Sequence, residues 1–523
     1  MDIRRIKYIL IIIRRFYPLL MPLLLVLTGL FFGCATVPLN LPKPYSITIT
    51  KVDDTAWGKT AADWTAANQG LSGFYPLNQG MDALGVRLRL AERAEKSIDL
   101  KYFLMKDDTA GAVMANALLQ AANRGVRIRF LIDDIFTTFP DRYFLLLNQH
   151  PNIEIRIFNP ISRRGISKLN FVLNFKQANR RMHNKSFTVD NSISVVGGRN
   201  IADEYFDLNT GAVFVDLDVL ILGPIVKDIS EPFDEFWNHK LAVPIKHFTS
   251  ISKTDTLENI RKEIADELNT IYETVYEKAL NSNLLQDLIT NRLPLFAASA
   301  TVLADSSSKL TNTIGEGDVL LAEELGAILR NAEKEVIVIT PYYVPGDNGV
   351  QLVRDLVDKG VRVVVITNSL ASNNHIPVHS AYARYRKAVL RAGAEIYEAR
   401  SNAVDELLGI EDGPDILTLH TKAFFFDRKQ LFIGSMNLDP RSIEINAEMG
   451  VLIDSESMVE NMVKSAEERL PNLTYQVHEN DKGKLEWHGR INNKTVIETK
   501  EPLTSRWRRF KAWFMKIVPE SQL

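Results

Sequence analysis

The chain has 523 residues, enough for several domains or for two large fused lobes. Hydrophobic residues at 46% and charged residues at 24% exclude a disordered, collagen-like or many-span membrane protein. Lys and Arg number 62 against 64 Asp and Glu, a formal net charge of -2, so no global basicity points to nucleic acid and any anion binding has to be local. The single cysteine, Cys34, excludes an intramolecular disulfide and a C-x-x-C metal site.

Residues 1–34 read as a membrane-directed segment. Arg4, Arg5, Lys7, Arg14 and Arg15 precede an apolar run from Tyr17 to Gly33, and the next cation is Lys43. This asymmetry keeps the cations in the cytoplasm while the rest of the chain crosses. The run ends in LFFGC, which resembles a bacterial lipoprotein signal and would make Cys34, after Gly33, the lipidated residue. Phe31 stands where that pattern places Leu, and Leu30 lies one position early. An uncleaved anchor is the alternative, since 17 apolar residues sit at the short limit for a span. Both readings tether the body to a bacterial cell envelope on its periplasmic side.

After a linker over 35–70, the chain repeats itself. RAEKSIDLKYFLM from Arg93 matches NAEKEVIVITPYYVP from Asn331, each a helix end followed by a strand. RGVRIRFLID from Arg124 matches KGVRVVVITN from Lys359, a second paired strand. Thr109–Asn123 and Gly349–Lys359 carry helical periodicity between them, so each half opens strand, helix, strand with a parallel crossover. Halves are expected over 71–250 and 319–470, with a helical connector over 251–318 and an accessory tail over 471–523. The fold class is α/β.

The third match carries chemistry. HNKSFTVD holds His183, Lys185 and Asp190 and is followed by GGRN at Gly197–Asn200; HTKAFFFD holds His420, Lys422 and Asp427 and is followed by GSMN at Gly434–Asn437. Strand alternation sends the His and Lys of each copy to one face. The glycines permit a tight turn where amides and an Asn approach an oxyanion. A neutral imidazole attacks phosphorus to give a phosphohistidine, while the second, protonated, supplies the leaving oxygen's proton and then activates water or an acceptor alcohol. Lys185, Lys422, Asn200 and Asn437 would hold the nonbridging oxygens, with Ser435 a further candidate for phosphate contact. The scheme requires no metal and no cofactor. Asp190 and Asp427 complete the candidate catalytic motif, and their place at strand ends suits them to fixing strand and turn geometry.

The doubled motif resembles the phospholipase D superfamily, in which two α/β halves pack about a pseudo-two-fold axis and share one active site. GGRNIADEYF, FVDLDVLILGP from Phe214 and NLDPRSIEINAE look most like the periplasm-facing bacterial cardiolipin synthases. That resemblance implies phosphatidyl transfer to phosphatidylglycerol, from phosphatidylglycerol or phosphatidylethanolamine, at a membrane surface and without nucleic acid. It also implies that downstream acids, paired here as Asp216 in DLDVLI and Glu448 in EMGVLI, orient the histidines, and it slightly favours His183 as the attacking one. The same chemistry serves a hydrolytic phospholipase D or a nuclease, and a noncatalytic lipid-binding protein would share the fold.

Three further segments bear on lipid. Arg163, Arg164, Lys168, Lys176, Arg180 and Arg181 surround Phe171, Val172, Leu173 and Phe175, a pattern shared by a lipid-facing patch and an ordinary amphipathic helix. His379, Tyr382 and Arg384 lie in HSAYARYR, which suits helix packing or a head-group contact. In RWRRFKAWFMKIV from Arg506, helical spacing gathers Trp507, Phe510, Trp513, Phe514 and Ile517 in one arc, as in an interfacial helix, or a helix docked on the body.

Overall fold

The computed structural model describes residues 37, 39, 41–162, 175–208, 211–247, 256–259, 262–263, 279, 282–290, 292–313, 320–409, 414–491 and 494–520. The segment with Cys34 lies outside them, as do Arg163, Arg164, Lys168, Phe171, Val172 and Leu173 and the side chain of Lys176. No helix among the described residues is long and apolar enough to cross a membrane.

The first half contributes strands β1 (Ser72–Leu77), β2 (Ser97–Tyr102), β3 (Arg127–Asp133), β4 (Ile153–Phe158), β5 (Ser186–Val189), β6 (Ile193–Gly197), β7 (Ala212–Val215), β8 (Asp218–Leu222) and β9 (Ala242–Pro244). The second contributes β10 (Phe296–Ala304), β11 (Glu335–Ile339), β12 (Arg362–Asn368), β13 (Glu395–Ala399), β14 (Ile416–Leu419), β15 (Ala423–Phe426), β16 (Gln430–Gly434), β17 (Met449–Asp454), β18 (Thr474–Glu479), β19 (Leu485–Ile491) and β20 (Lys494–Glu498). In the first half the pairing runs β9-β4-β3-β2-β5-β6-β8-β1. The second half repeats it in mirror order, β10-β17-β16-β15-β11-β12-β13-β18, extended by β19 and β20. The halves meet where β1 pairs antiparallel with β10, Ser72 opposite Ala298 and Phe74 opposite Phe296. This palindrome is the pseudo-two-fold relation expected from the duplicated sequence.

Local chemistry explains the elements. The β-branched runs EVIVI and RVVVITN suit strands buried on both faces, and β11 and β12 pair in parallel, as β2 and β3 do. Helix Thr109–Asn123 begins where the Asp108 side chain accepts from the Gly111 amide, and it lies between β2 and β3 as the crossover requires; Gly346–Asp358 does the same between β11 and β12. One apolar cluster draws on both halves, Val219 and Ile221 from β8 packing with Phe425, Ile433 and Val451 from β15, β16 and β17. The halves are therefore joined through a common core.

Two boundaries differ from expectation. Part of the expected connector is helical, at Asn283–Ile289, but Phe296–Ala304 inside it is the longest strand and the counterpart of β1. Its sequence, FAASATVLA, lacks the apolar alternation that marks a half-buried strand because its faces are only partly covered. The tail is likewise not separate, since β18 pairs with β13 and completes the second half as β9 completes the first.

Candidate active site

The two histidine motifs lead into β5 and β15, but the histidines themselves precede those strands. Each histidine backbone pairs instead with the opposite half. The His183 amide donates to Ala447 O at 2.9 Å, and the His420 amide donates to Val215 O at 2.8 Å. Parallel pairing of β7 with β14 and a bridge between Met182 and Ala447 continue these links. The next residue after each accepting carbonyl is an acid, Glu448 or Asp216, so every carboxylate is delivered to the other half's imidazole.

The resulting exchange is reciprocal. His183 Nδ1 donates to Glu448 Oε2 at 2.8 Å, and His420 Nδ1 donates to Asp216 Oδ2 at 2.6 Å. A carboxylate only accepts, so a proton on Nδ1 serves each of these bonds and leaves the Nε2 lone pair for the reacting atom; at His420 the Lys422 ammonium also lies 2.8 Å from Nδ1 and 3.3 Å from Nε2. Asp216 and Glu448, the acids that the family resemblance implies as orienting, each accept from an imidazole of the other half.

The strand ends preceding these motifs set the chain just before each histidine. Asp133, the last residue of β3, accepts from the Met182 amide at 3.0 Å; Asn368, the last of β12, accepts from the Leu419 amide at 2.9 Å and donates to Leu419 O at 2.8 Å. Sequence reasoning missed both, although they close the matching runs RGVRIRFLID and KGVRVVVITN. It also missed the aromatic walls. Phe103 meets His183 edge-on at 4.7 Å, while Phe214 stacks on His420 at 5.4 Å and Tyr205 meets it edge-on at 5.1 Å. Tyr205 and Phe214 lie in two of the three segments that carried the family resemblance.

Burial sets the electrostatics. Desolvation pushes His183 down to about 4, with Lys185 adding to the effect and Glu448 opposing it. It pushes His420 well below the ordinary imidazole value, reinforced by Lys422, Lys185 and His183. Both rings are neutral near pH 7 before an anion arrives, which suits one as a nucleophile; the negative charge of a bound phosphodiester is what favours a proton on the other. Burial also lowers Lys185 to about 7 and Lys422 to about 8. Lys185 Nζ donates to His183 O at 2.6 Å, leaving further N–H groups for a ligand, while Lys422 donates to His420 O and also lies against both nitrogens of the His420 ring.

Asn200 and Asn437 form a second matched pair. One end of the Asn200 amide meets the Tyr205 hydroxyl at 2.9 Å, one end of Asn437 meets Ser442 Oγ at 3.4 Å, and the other end of each is buried without a protein partner. A hydroxyl either donates or accepts, so each amide can turn its N–H outward to an anionic oxygen.

Two expectations are corrected and one open reading is decided. Ser435 is not free for phosphate: its hydroxyl donates to Glu448 Oε2 and accepts from the Met449 amide, so it holds the acid that orients His183. Its counterpart in the first motif, Gly198, has no side chain because a Cβ there would lie 2.2 Å from Asp216 Oδ1. Asp190 and Asp427 do not reach the reacting groups. Asp190 accepts from the amides of Glu95, Lys96 and Ser97 at 3.0, 2.8 and 2.9 Å, and Asp427 from those of Glu333, Lys334 and Glu335 at 3.1, 2.7 and 3.0 Å. Each fixes the turn that starts β2 or β11, and each has the positive φ that aspartate tolerates, 46° and 53°. Finally, HSAYARYR packs rather than opening to a head group. His379 and Tyr382 are buried against Arg386 and Glu398, and Arg384 bonds to Glu520. Arg181 is likewise buried, paired with Asp133.

Among the described residues no group of three or more His, Cys, Asp and Glu side chains could hold a metal ion. Two imidazoles held by carboxylates, the Lys185 and Lys422 ammonium groups and two unpaired amide ends form a site for an anionic phosphorus centre.

Comparison with known proteins agrees with this geometry. The family described as "Cardiolipin synthase, PLD-like domain" matches residues 88–237 and again 325–470, once per half. The chain is 37% identical over 458 residues to cardiolipin synthase C of Escherichia coli, covering 86% of this chain and 96% of that protein. It is 31% identical to an uncharacterized protein of Helicobacter pylori, covering 96% of this chain and all of that one. The crystal structure of a phosphatidylserine synthase from Haemophilus influenzae shares the fold with a TM-score of 0.53 at 15% identity, covering 82% of this chain and 92% of that one. The chain belongs to the phospholipase D superfamily, as a cardiolipin synthase-like phosphatidyltransferase built from two PLD-like domains.

Proposed function

We propose that the protein makes cardiolipin, transferring a phosphatidyl group from phosphatidylglycerol or phosphatidylethanolamine to phosphatidylglycerol through a covalent phosphohistidine. The observation that carries this reading is the reciprocal exchange of Glu448 and Asp216, which leaves two oriented Nε2 atoms in one site. One Nε2 forms a bond to phosphorus as the bond to the head-group alcohol breaks; the other ring gives the departing oxygen its proton. The same ring then takes a proton from the acceptor glycerol hydroxyl, whose oxygen displaces the histidine, so proton and charge return to their starting state. Lys185 and Lys422 balance the charge on the nonbridging oxygens.

The relatives named cardiolipin synthase support a phospholipid donor and acceptor. The basic, then apolar, N-terminal sequence supports a body tethered at the envelope on the periplasmic side, with Cys34 the lipidated residue. Purified protein incubated with labelled phosphatidylglycerol, with and without phosphatidylethanolamine, tests the reading. Labelled cardiolipin is expected; phosphatidate alone would make the protein a hydrolase, and DNA cleavage with lipid untouched would make it a nuclease. Mass spectrometry of the N-terminus tests lipidation, with acylated Cys34 expected; an unmodified, uncleaved N-terminus would make the segment an uncleaved anchor instead.

A further inference from the structure

Thirteen large apolar side chains are exposed among the described residues, and six of them fall between Leu503 and Ile517. Helix Arg506–Phe514 and the turn after it carry five: Trp507, Phe510, Trp513, Phe514 and Ile517, with Trp513 64% and Ile517 77% exposed. Their rings form a row, Trp507 stacked on Phe510 at 5.4 Å and Phe510 beside Trp513 at 5.9 Å. The sequence between Arg506 and Ile517 holds Arg506, Arg508, Arg509, Lys511 and Lys516 and no acid. Water is a poor solvent for such a row, and a body of this size has ample core in which to hide it.

The helix is nevertheless fixed to the enzyme. Ala512 is buried beneath it, and Arg508 donates to Leu370 O at 2.8 Å and to Asn373 O at 2.6 Å. Beyond its end, Glu520 accepts from Arg384 and from the Tyr385 hydroxyl, each at 2.7 Å, on helix Ile376–Arg391. Arg508 thus grips residues 369–375, which lead directly out of β12. The other side of that loop borders the site. Asn374 accepts from the Tyr342 hydroxyl, and His375 meets the Tyr342 ring at 5.4 Å. At the base of the loop, Asn368 holds Leu419, next to His420.

We infer that the aromatic face of Arg506–Ile517 is a docking surface for an anionic phospholipid bilayer, and that the Arg508 clamp makes it part of the rim of the active site. Tryptophan and phenylalanine favour the bilayer boundary, and interspersed cations favour anionic head groups there. A helix fixed to the loop beside His420 turns the lipid surface toward the reacting imidazoles as it binds. A separate tether would hold the protein near the membrane without choosing which face meets it. The inference rests on the phospholipid reading of the site and adds where lipid meets the protein.

The test uses the full chain with vesicles of phosphatidylglycerol and phosphatidylethanolamine carrying brominated acyl chains, which quench tryptophan at the bilayer boundary. Emission from the unmodified protein is expected to fall on mixing, and the fall is expected to vanish in the double variant Trp507→Phe, Trp513→Phe. No quenching, or the same quenching in that variant, overturns the inference. A second variant, Trp507→Glu with Trp513→Glu, is expected to lose roughly tenfold in transfer from vesicles while keeping the melting temperature and circular dichroism of the unmodified protein, which shows that it folds. Equal rates on vesicles overturn the inference. Activity of the unmodified protein on phosphatidylglycerol in detergent micelles separates the two questions: its absence refutes the functional reading, whereas its presence without quenching refutes the docking surface alone.

Discussion

Glu448, in the second half, accepts a hydrogen bond from Nδ1 of His183, in the first, at 2.8 Å. The reverse link, Asp216 to His420, means that neither half holds a complete imidazole and acid pair of its own. Glu448→Gln and Asp216→Asn remove the charge while keeping the shape, so each is expected to lower kcat by roughly 10²–10⁴. Steady-state transfer assays on the folded variants check this.

Ser435 separates positioning from phosphate binding. Its hydroxyl meets Glu448 and the Met449 amide. Ser435→Ala removes one hydrogen bond to a charged group, worth about 1.5–3 kcal/mol, and is expected to lower kcat by roughly ten- to a hundredfold with KM little changed. A rise in KM at constant kcat would put Ser435 on the substrate instead.

Asp190 and Asp427 belong to the motif but are expected to matter for stability. Asp190→Ala strands three amides, that of Ser97 buried and those of Glu95 and Lys96 part-buried, and should cost roughly 2–4 kcal/mol, read by chemical denaturation. Asp427 caps a partly exposed turn, so Asp427→Ala should cost about 1 kcal/mol. In both, the folded fraction should keep the parent kcat.

The lysines predict an alkaline limb. Burial lowers Lys185 to about 7 and Lys422 to about 8, and the cationic form is the one present below those values. As pH rises through 7–8 in the free protein the ammonium charges are lost and the anionic substrate is held less well. kcat/KM should therefore fall there, well before the ordinary lysine value of 10.5. A bound phosphodiester stabilises both cations, so the corresponding limb in kcat should lie at higher pH. Parallel pH profiles of the two parameters check the sign.

Much of this arrangement was legible in the sequence because duplication doubles each signal. Gly-Val-Arg before two β-branched runs marked β3 and β12, and two H-x-K-x4-D copies marked the histidines and lysines. The pairing of Asp216 with Glu448 was also legible, but its exchange across halves was not, since alignment shows which residues correspond and never which ones touch. Ser435 was misread for a related reason, whereas Asp190 has the turn-fixing role that its place at a strand end suggests. A motif position advertises importance without stating whether a side chain meets substrate, a backbone turn or another side chain. β10 escaped because FAASATVLA is a strand by virtue of its two partners, β1 and β17, rather than its own pattern.

The most direct test of a single site shared by both halves is a rapid denaturing quench of the protein with phosphorus-labelled phosphatidylglycerol, followed by peptide mass spectrometry. The account predicts label on one histidine, His183 or His420, lost when that residue is changed to Ala, with neither His183→Ala nor His420→Ala able to turn over substrate. Label on any other residue, or near-parent turnover by either folded variant, would contradict it.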